Sequence, residues 1–129
     1  MTYLLLIYLK RRYFLKIGKR GIKEFRGGYY VYVGSGRRYG FQRIMRHIKK
    51  LKKLRWHVDY ILKKGEIKRI WIILGESTNE CIISKALQAR GKIVVKKFGS
   101  SDCHCPSHLF YFKNNPERSI EKIINLLIT

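Results

Sequence analysis

Residues 3–9 form an unbroken apolar run, Tyr3 to Leu9, which predicts a buried strand. Residues 13–17 alternate apolar and polar positions and predict a strand returning from it as a hairpin. Gly18, Gly21, Gly27 and Gly28 mark turns around that segment. Residues 29–33 are all aromatic or β-branched and predict another strand, closed by Gly34, Ser35 and Gly36. From residue 41 the period changes. Phe41, Ile44, Met45, Ile48 and Leu51 fall at three- and four-residue steps and predict a helix over residues 41–54 with one apolar face. Residues 56–62 predict a short second helix and residues 67–74 a strand. Residues 77–90 predict a helix with Ser77 as its N-cap and Glu80 completing a capping box, ended by Gly91. Strands are predicted over residues 93–98 and 109–112, and a last helix after Pro116. The order β-β-β-α-α-β-α-β-β-α predicts an α+β fold, a small antiparallel sheet flanked by helices.

The 129 residues suit a single domain spanning residues 1–129. An apolar share of 46% excludes a disordered basic tail. Charge changes the picture most, because 29 Lys and Arg stand against 8 Asp and Glu, a net +21. Such a field repels itself and is the footprint of a polyanion partner, with nucleic acid the leading candidate. No apolar run reaches the roughly 18–20 residues of a membrane span, and no membrane partner is expected. The first ten residues lack the basic segment and small-residue cleavage site of a signal peptide. Three cysteines, an odd number without framework spacing, point to a reducing compartment, the cytoplasm.

Four groups of residues carry candidate chemistry. Tyr30 and Tyr32 share one face of their predicted strand, beside glycines that would let a phosphate backbone approach. A tyrosyl oxygen acts as a general base if nearby cations pull down its pKa of about 10; otherwise these are half-buried strand aromatics. Arg43 and His47 stand four apart on one helix face, where an Arg fork can grip a phosphate beside a proton-handling imidazole. Around them Arg46, Lys49, Lys50, Lys52 and Lys53 would hold nucleic-acid phosphates, or simply form a solvated basic face. Glu80 is either the capping-box residue or one carboxylate of a divalent-metal site. Finally, Cys103, Cys105 and His108, with Cys81 or His57, could complete a tetrahedron around Zn2+, although buried thiols in a rigid loop explain the same residues.

Taken together, these strings resemble the GIY-YIG nuclease superfamily. Thr2-Tyr3 on a first strand, Tyr32-Val33-Gly34 ending another, Arg43 and His47 on the next helix, and Glu80 on a later one occur in its order. The longer strings GYYVYVGS from Gly28, RIMRH from Arg43, WHVDY from Trp56 and FGSSDCHC from Phe98 are similar to a branch of small archaeal and bacterial proteins, sometimes fused to an endonuclease III domain. The resemblance implies a three-stranded antiparallel sheet with helices around it. It implies cleavage of phosphodiester bonds with one divalent ion, Mg2+ or Mn2+, bound by Glu80. Tyr3 and Tyr32 would be the motif tyrosines, one of them activating or orienting water. Arg43 would hold the scissile phosphate, and His47 would assist proton transfer or hold a tyrosine. The implied substrate is DNA, with RNA open, and the fusion of relatives suggests a DNA-repair enzyme as partner. Two departures bear on this. Met1 stands in the place of the motif glycine, and 28 residues separate Tyr3 from Tyr32. A hairpin over roughly residues 10–27 would explain the gap; otherwise Tyr8 or Tyr30 takes the place of Tyr3. The alternative function is a non-catalytic nucleic-acid-binding module on the same scaffold.

Overall fold

The computed structural model describes residues 1–36, 39–49, 53–54, 57–75, 79–99 and 104–128. Its centre is strand β1 (Thr2–Leu9), followed by the hairpin strands β2 (Tyr13–Lys16) and β3 (Ile22–Phe25), and then β4 (Gly28–Ser35). Helices α1 (Gly40–Ile48) and α2 (His57–Leu62) lead to β5 (Glu66–Ile73). After α3 (Glu80–Gln88) come the two-residue strand β6 (Lys92–Ile93), β7 (Leu109–Phe112) and α4 (Glu117–Ile128). Strands β5-β1-β4-β7-β6 form one antiparallel sheet, and β2-β3 form a separate two-stranded ribbon. The α+β expectation holds, and the long spacing after β1 is taken up by that ribbon.

β1 is apolar throughout because both of its faces are covered. Tyr3, Leu5, Ile7 and Leu9 pack into one core with Tyr30, Ile44, Val58, Ile61, Phe98 and the ribbon residues Leu15, Ile17 and Phe25. Leu4 and Leu6 pack into the other with Val31, Val33, Ile83, Leu87 and Ile120. Fully burying each such Leu or Ile contributes about 1.5–3 kcal/mol. Helices α1 and α2 and the ribbon therefore cover one face, and α3 and α4 the other.

Three local expectations are corrected. The first helix stops at Ile48, where Lys49 turns extended, φ −67° and ψ 125°. Its apolar stripe is only partly buried: Ile44 faces inward beside Gly40 and His47, whereas Phe41, Met45 and Ile48 are largely exposed. A polar contact made by His47, described below, sets the rotation of the helix. The second correction concerns α3, which begins at Glu80 with Asn79 as its N-cap. The Asn79 side chain accepts hydrogen bonds from the backbone N–H of Cys81 and Ile82, both at 3.0 Å, so Glu80 is the first helical residue and not the far half of a capping box. Ser77 lies outside the described residues. Third, the strand expected over residues 93–98 lasts two residues. A turn follows, with Lys97 at φ 61° and Phe98 buried.

Candidate active site

The β1–β4 register opposes Tyr3 to Gly34 and Leu5 to Tyr32. Tyr3 and Tyr32 are thus diagonal neighbours on one face, with ring centroids 6.4 Å apart. Gly34 makes this possible. A Cβ there would fall on the outer atoms of the Tyr3 ring, so glycine is required for close approach and not for a left-handed backbone. From above, α1 inserts His47 between the two rings, at centroid distances of 5.6 Å to Tyr3 and 5.9 Å to Tyr32. The Tyr3 hydroxyl and His47 Nε2 share a buried hydrogen bond of 2.8 Å.

Burial holds both phenols well above their ordinary pKa, and the Arg43 cation offsets this only in part. At neither phenol do the cations outweigh burial, which acts against a tyrosine pulled down toward a phenolate base. The hydrogen bond gives the Tyr3 hydroxyl a direct path for a proton to or from His47 Nε2. Glu80 lies close enough that its negative charge pushes both phenols further up. Arg43 is near enough to pull the same two phenols the other way, and its guanidinium donates to the Ser35 carbonyl at 2.6 Å. The structure accordingly brings Tyr3, Tyr32, Arg43, His47 and Glu80 to one end of the sheet, where β1 begins and β4 ends. Tyr3 and His47 form a buried floor, while Arg43 is exposed and Glu80 half-buried at the rim.

The other tyrosines are engaged elsewhere. Tyr30 donates from its hydroxyl to the Arg26 carbonyl at 2.7 Å and packs edge-on against Phe25. Tyr8 lies near the far end of β1, its ring 5.0 Å from that of Tyr29. Met1 fits its expected glycine position through small neighbours: its carbonyl accepts from Gly36 N–H at 3.1 Å, and its side chain packs where a Cβ on Gly40 would be.

The expected phosphate-holding residues do not behave alike. Arg46 donates to Asp59 at 2.8 Å and to the Lys53 carbonyl at 2.7 Å, which ties α1 to α2. Asp59 is fully buried, so this guanidinium balances a charge inside the protein. Lys49 and Lys53 are exposed, as expected of groups that meet a polyanion. Lys50 and Lys52 lie outside the described residues.

The Cys/His group is rearranged. Cys81 and Cys105 form a disulfide, so neither is a free thiol in this structure. The two sulfurs and a ring nitrogen of His108 lie within 4.8 Å of one another, so only the reduced pair would offer a metal three ligand atoms. His57 does not join them: its Nδ1 accepts from Gly99 N–H at 3.1 Å. Cys103 lies outside the described residues. His108 is fully buried, with Nδ1 and the Ser84 hydroxyl 2.6 Å apart, and burial lowers its pKa below 6.5. The same cause, aided by the Arg20 cation, lowers that of His57. This group borders the tyrosines, because a Cβ on Gly99 would touch both the Tyr32 ring and His108.

Sequence reasoning missed Asp59, Ser84 and Arg20. Asp59 carried one signal, a lone acid among Val58, Ile61 and Leu62 in a very basic chain. Arg20 and Ser84 carried none. Among the described residues, no helix is long and apolar enough to cross a membrane. A cavity of about 250 Å³ lined by Glu24, Arg26, Lys92 and Tyr111 among others receives none of the clustered residues.

A family model described as "Domain of unknown function DUF123" matches residues 2–129. No curated protein and no solved structure matches the chain.

Proposed function

The chain belongs to the DUF123 family, and from its clustered residues together with their resemblance to the GIY-YIG nucleases we propose that it is a metal-dependent endonuclease of that type, hydrolysing phosphodiester bonds in DNA. One observation carries this: five side chains able to handle a phosphodiester, Tyr3, Tyr32, Arg43, His47 and Glu80, converge on one end of the sheet in a body of net charge +21. Arg43 at the rim grips the scissile phosphate and stabilises charge as it develops. Beneath it, the Tyr3 hydroxyl takes a proton from the attacking water while giving its own to His47 Nε2, so the phenol never needs to ionise. Tyr32 flanks the imidazole and fixes its tilt.

The donor set suits a magnesium or manganese ion. Such ions take one or two carboxylates and fill the remaining positions with water and substrate phosphate oxygens. Glu80 is the rim acid whose charge, like that of buried Asp59, reaches both tyrosines, and it opens the first turn of α3. Asp59 is spent on Arg46. Bound there, the ion would polarise the phosphoryl oxygen and stabilise the leaving group.

The test is a cleavage panel of labelled single strand, duplex, flap, four-way junction and damaged duplex, with magnesium, manganese or chelator. Wild type and Glu80→Ala are run side by side. The expected result is metal-dependent cutting by the wild type that Glu80→Ala lacks, with binding retained. Binding without cutting on every substrate favours the alternative of a non-catalytic module. Cutting that survives the substitution removes Glu80 from the site.

A further inference from the structure

The β2–β3 ribbon is used by nothing described so far. Residues 10–26 hold eight cations, Lys10, Arg11, Arg12, Lys16, Lys19, Arg20, Lys23 and Arg26, against the single acid Glu24. The ribbon's register pairs Phe14 with Glu24 and Lys16 with Ile22, which places these four side chains on one face. The opposite face is spent on the core through Leu15, Ile17 and Phe25. On the solvent face Phe14 is 62% and Ile22 70% exposed. Scattered exposed apolar residues are ordinary. A ring and an aliphatic side chain together on one face, beside Arg12 and Lys16, are not.

We propose that this face is a second nucleic-acid contact, which stacks an unpaired base on Phe14 while Arg12 and Lys16 hold the flanking phosphates. The proposal takes its partner class from the function proposed above but does not need cleavage. Three observations favour a single strand over a duplex groove. The ribbon lies flat on its own core face, whereas a ribbon that reads a major groove has to project into it. An exposed aromatic among cations is the platform on which proteins stack single-stranded bases. The Arg12 guanidinium already lies 5.5 Å from the Phe14 ring centroid, placed to meet a phosphate next to a stacked base.

The ribbon is also fixed relative to the candidate active site. Arg20, in the turn between its strands, donates to the carbonyls of Lys96 and Lys97. These precede Phe98 and Gly99, which border Tyr32. The ribbon and the tyrosine cleft therefore lie on the same side of the sheet.

Fluorescence anisotropy tests this with a labelled single strand of roughly a dozen nucleotides, within the usual site size, and with the same sequence as duplex. Phe14→Ala should weaken single-strand binding roughly 5- to 150-fold, the range of one lost stacking contact, and leave the duplex within about twofold. Phe14→Leu, which keeps apolar area but no ring, should match Phe14→Ala. Lys16→Gln should lower the single-strand salt slope by about 0.7, which Phe14→Ala should not. Unchanged single-strand affinity in folded Phe14→Ala overturns the proposal, as does an equal loss on duplex. Wild type that binds no nucleic acid sinks this inference and the proposed function together. Phe14-dependent binding without cleavage supports the ribbon and removes only the nuclease.

Discussion

If Gly34 exists to admit the Tyr3 ring, Gly34→Ala should destabilise the protein in a way that Tyr3→Leu abolishes. A Cβ at residue 34 would coincide with the Tyr3 ring atoms Cζ, Oη and Cε2. The backbone there is not left-handed, so alanine has no conformational penalty and the whole effect is steric. Crowding a packed core costs about 1–3 kcal/mol. A tilted ring also loses its 2.8 Å bond to His47, which adds about 1 kcal/mol. The sum, about 2–4 kcal/mol, is a large share of the ~5–15 kcal/mol that holds a domain together. Leucine at residue 3 lacks all three crowding atoms. In that background Gly34→Ala should cost nothing, or stabilise slightly by replacing a flexible strand glycine. Urea unfolding of wild type, both single variants and the double variant gives the coupling energy. Additivity within about 0.5 kcal/mol would refute the argument, because it would mean that the alanine methyl and the tyrosine ring do not meet.

Arg46→Ala leaves the fully buried Asp59 without its guanidinium and should cost about 3–5 kcal/mol in the same urea assay, while Lys49→Ala on the exposed face should stay within about 0.5 kcal/mol. Stability should also fall as pH drops below about 6.5, because His57 and His108 have folded-state pKa values depressed by burial. Below that pH the unfolded chain binds protons that the folded one refuses, so stability rises with pH through the window and levels off above it. His108→Gln should flatten part of that slope in urea midpoints taken across the pH range; an unchanged slope would show that His108 titrates normally.

Much of this was legible in the chain. The continuous apolar run of β1 announces a buried strand, and the aromatic and β-branched run of 29–33 announces β4; their register came only with the structure. The hairpin spacing after Lys10 accounts for the distance between Tyr3 and Tyr32. What escaped was decided by contacts between distant residues. Periodicity assigned the inner face of α1 to Phe41, Ile44, Met45 and Ile48; Ile44 is buried as expected, but a hydrogen bond to Tyr3, 44 residues away, turns His47 inward in place of the others. Arg46 looked like one more surface cation until Asp59 came into reach. Ser77 and Asn79 are both good caps, and only the start of the helix at Glu80 separates them. The pairing of Cys81 with Cys105 depends on how the segment before β7 packs on α3, which spacing does not encode.

The place of β1 in the middle of the sheet has a kinetic consequence. β1 is made before the strands it pairs with, and it holds some of the most apolar residues of the chain. It meets β4 after the 18 residues 10–27, but its other edge waits for β5, where Leu4 pairs with Trp71. Pairings this distant in sequence close late, since the entropy of the long loop is lost before any contact rewards it. Until then a bare strand edge offers itself to any neighbouring chain. Mutual repulsion between chains of net charge +21 keeps such half-formed molecules apart during that interval. The same positive field would thus guard the protein against aggregation before there is a site for it to serve.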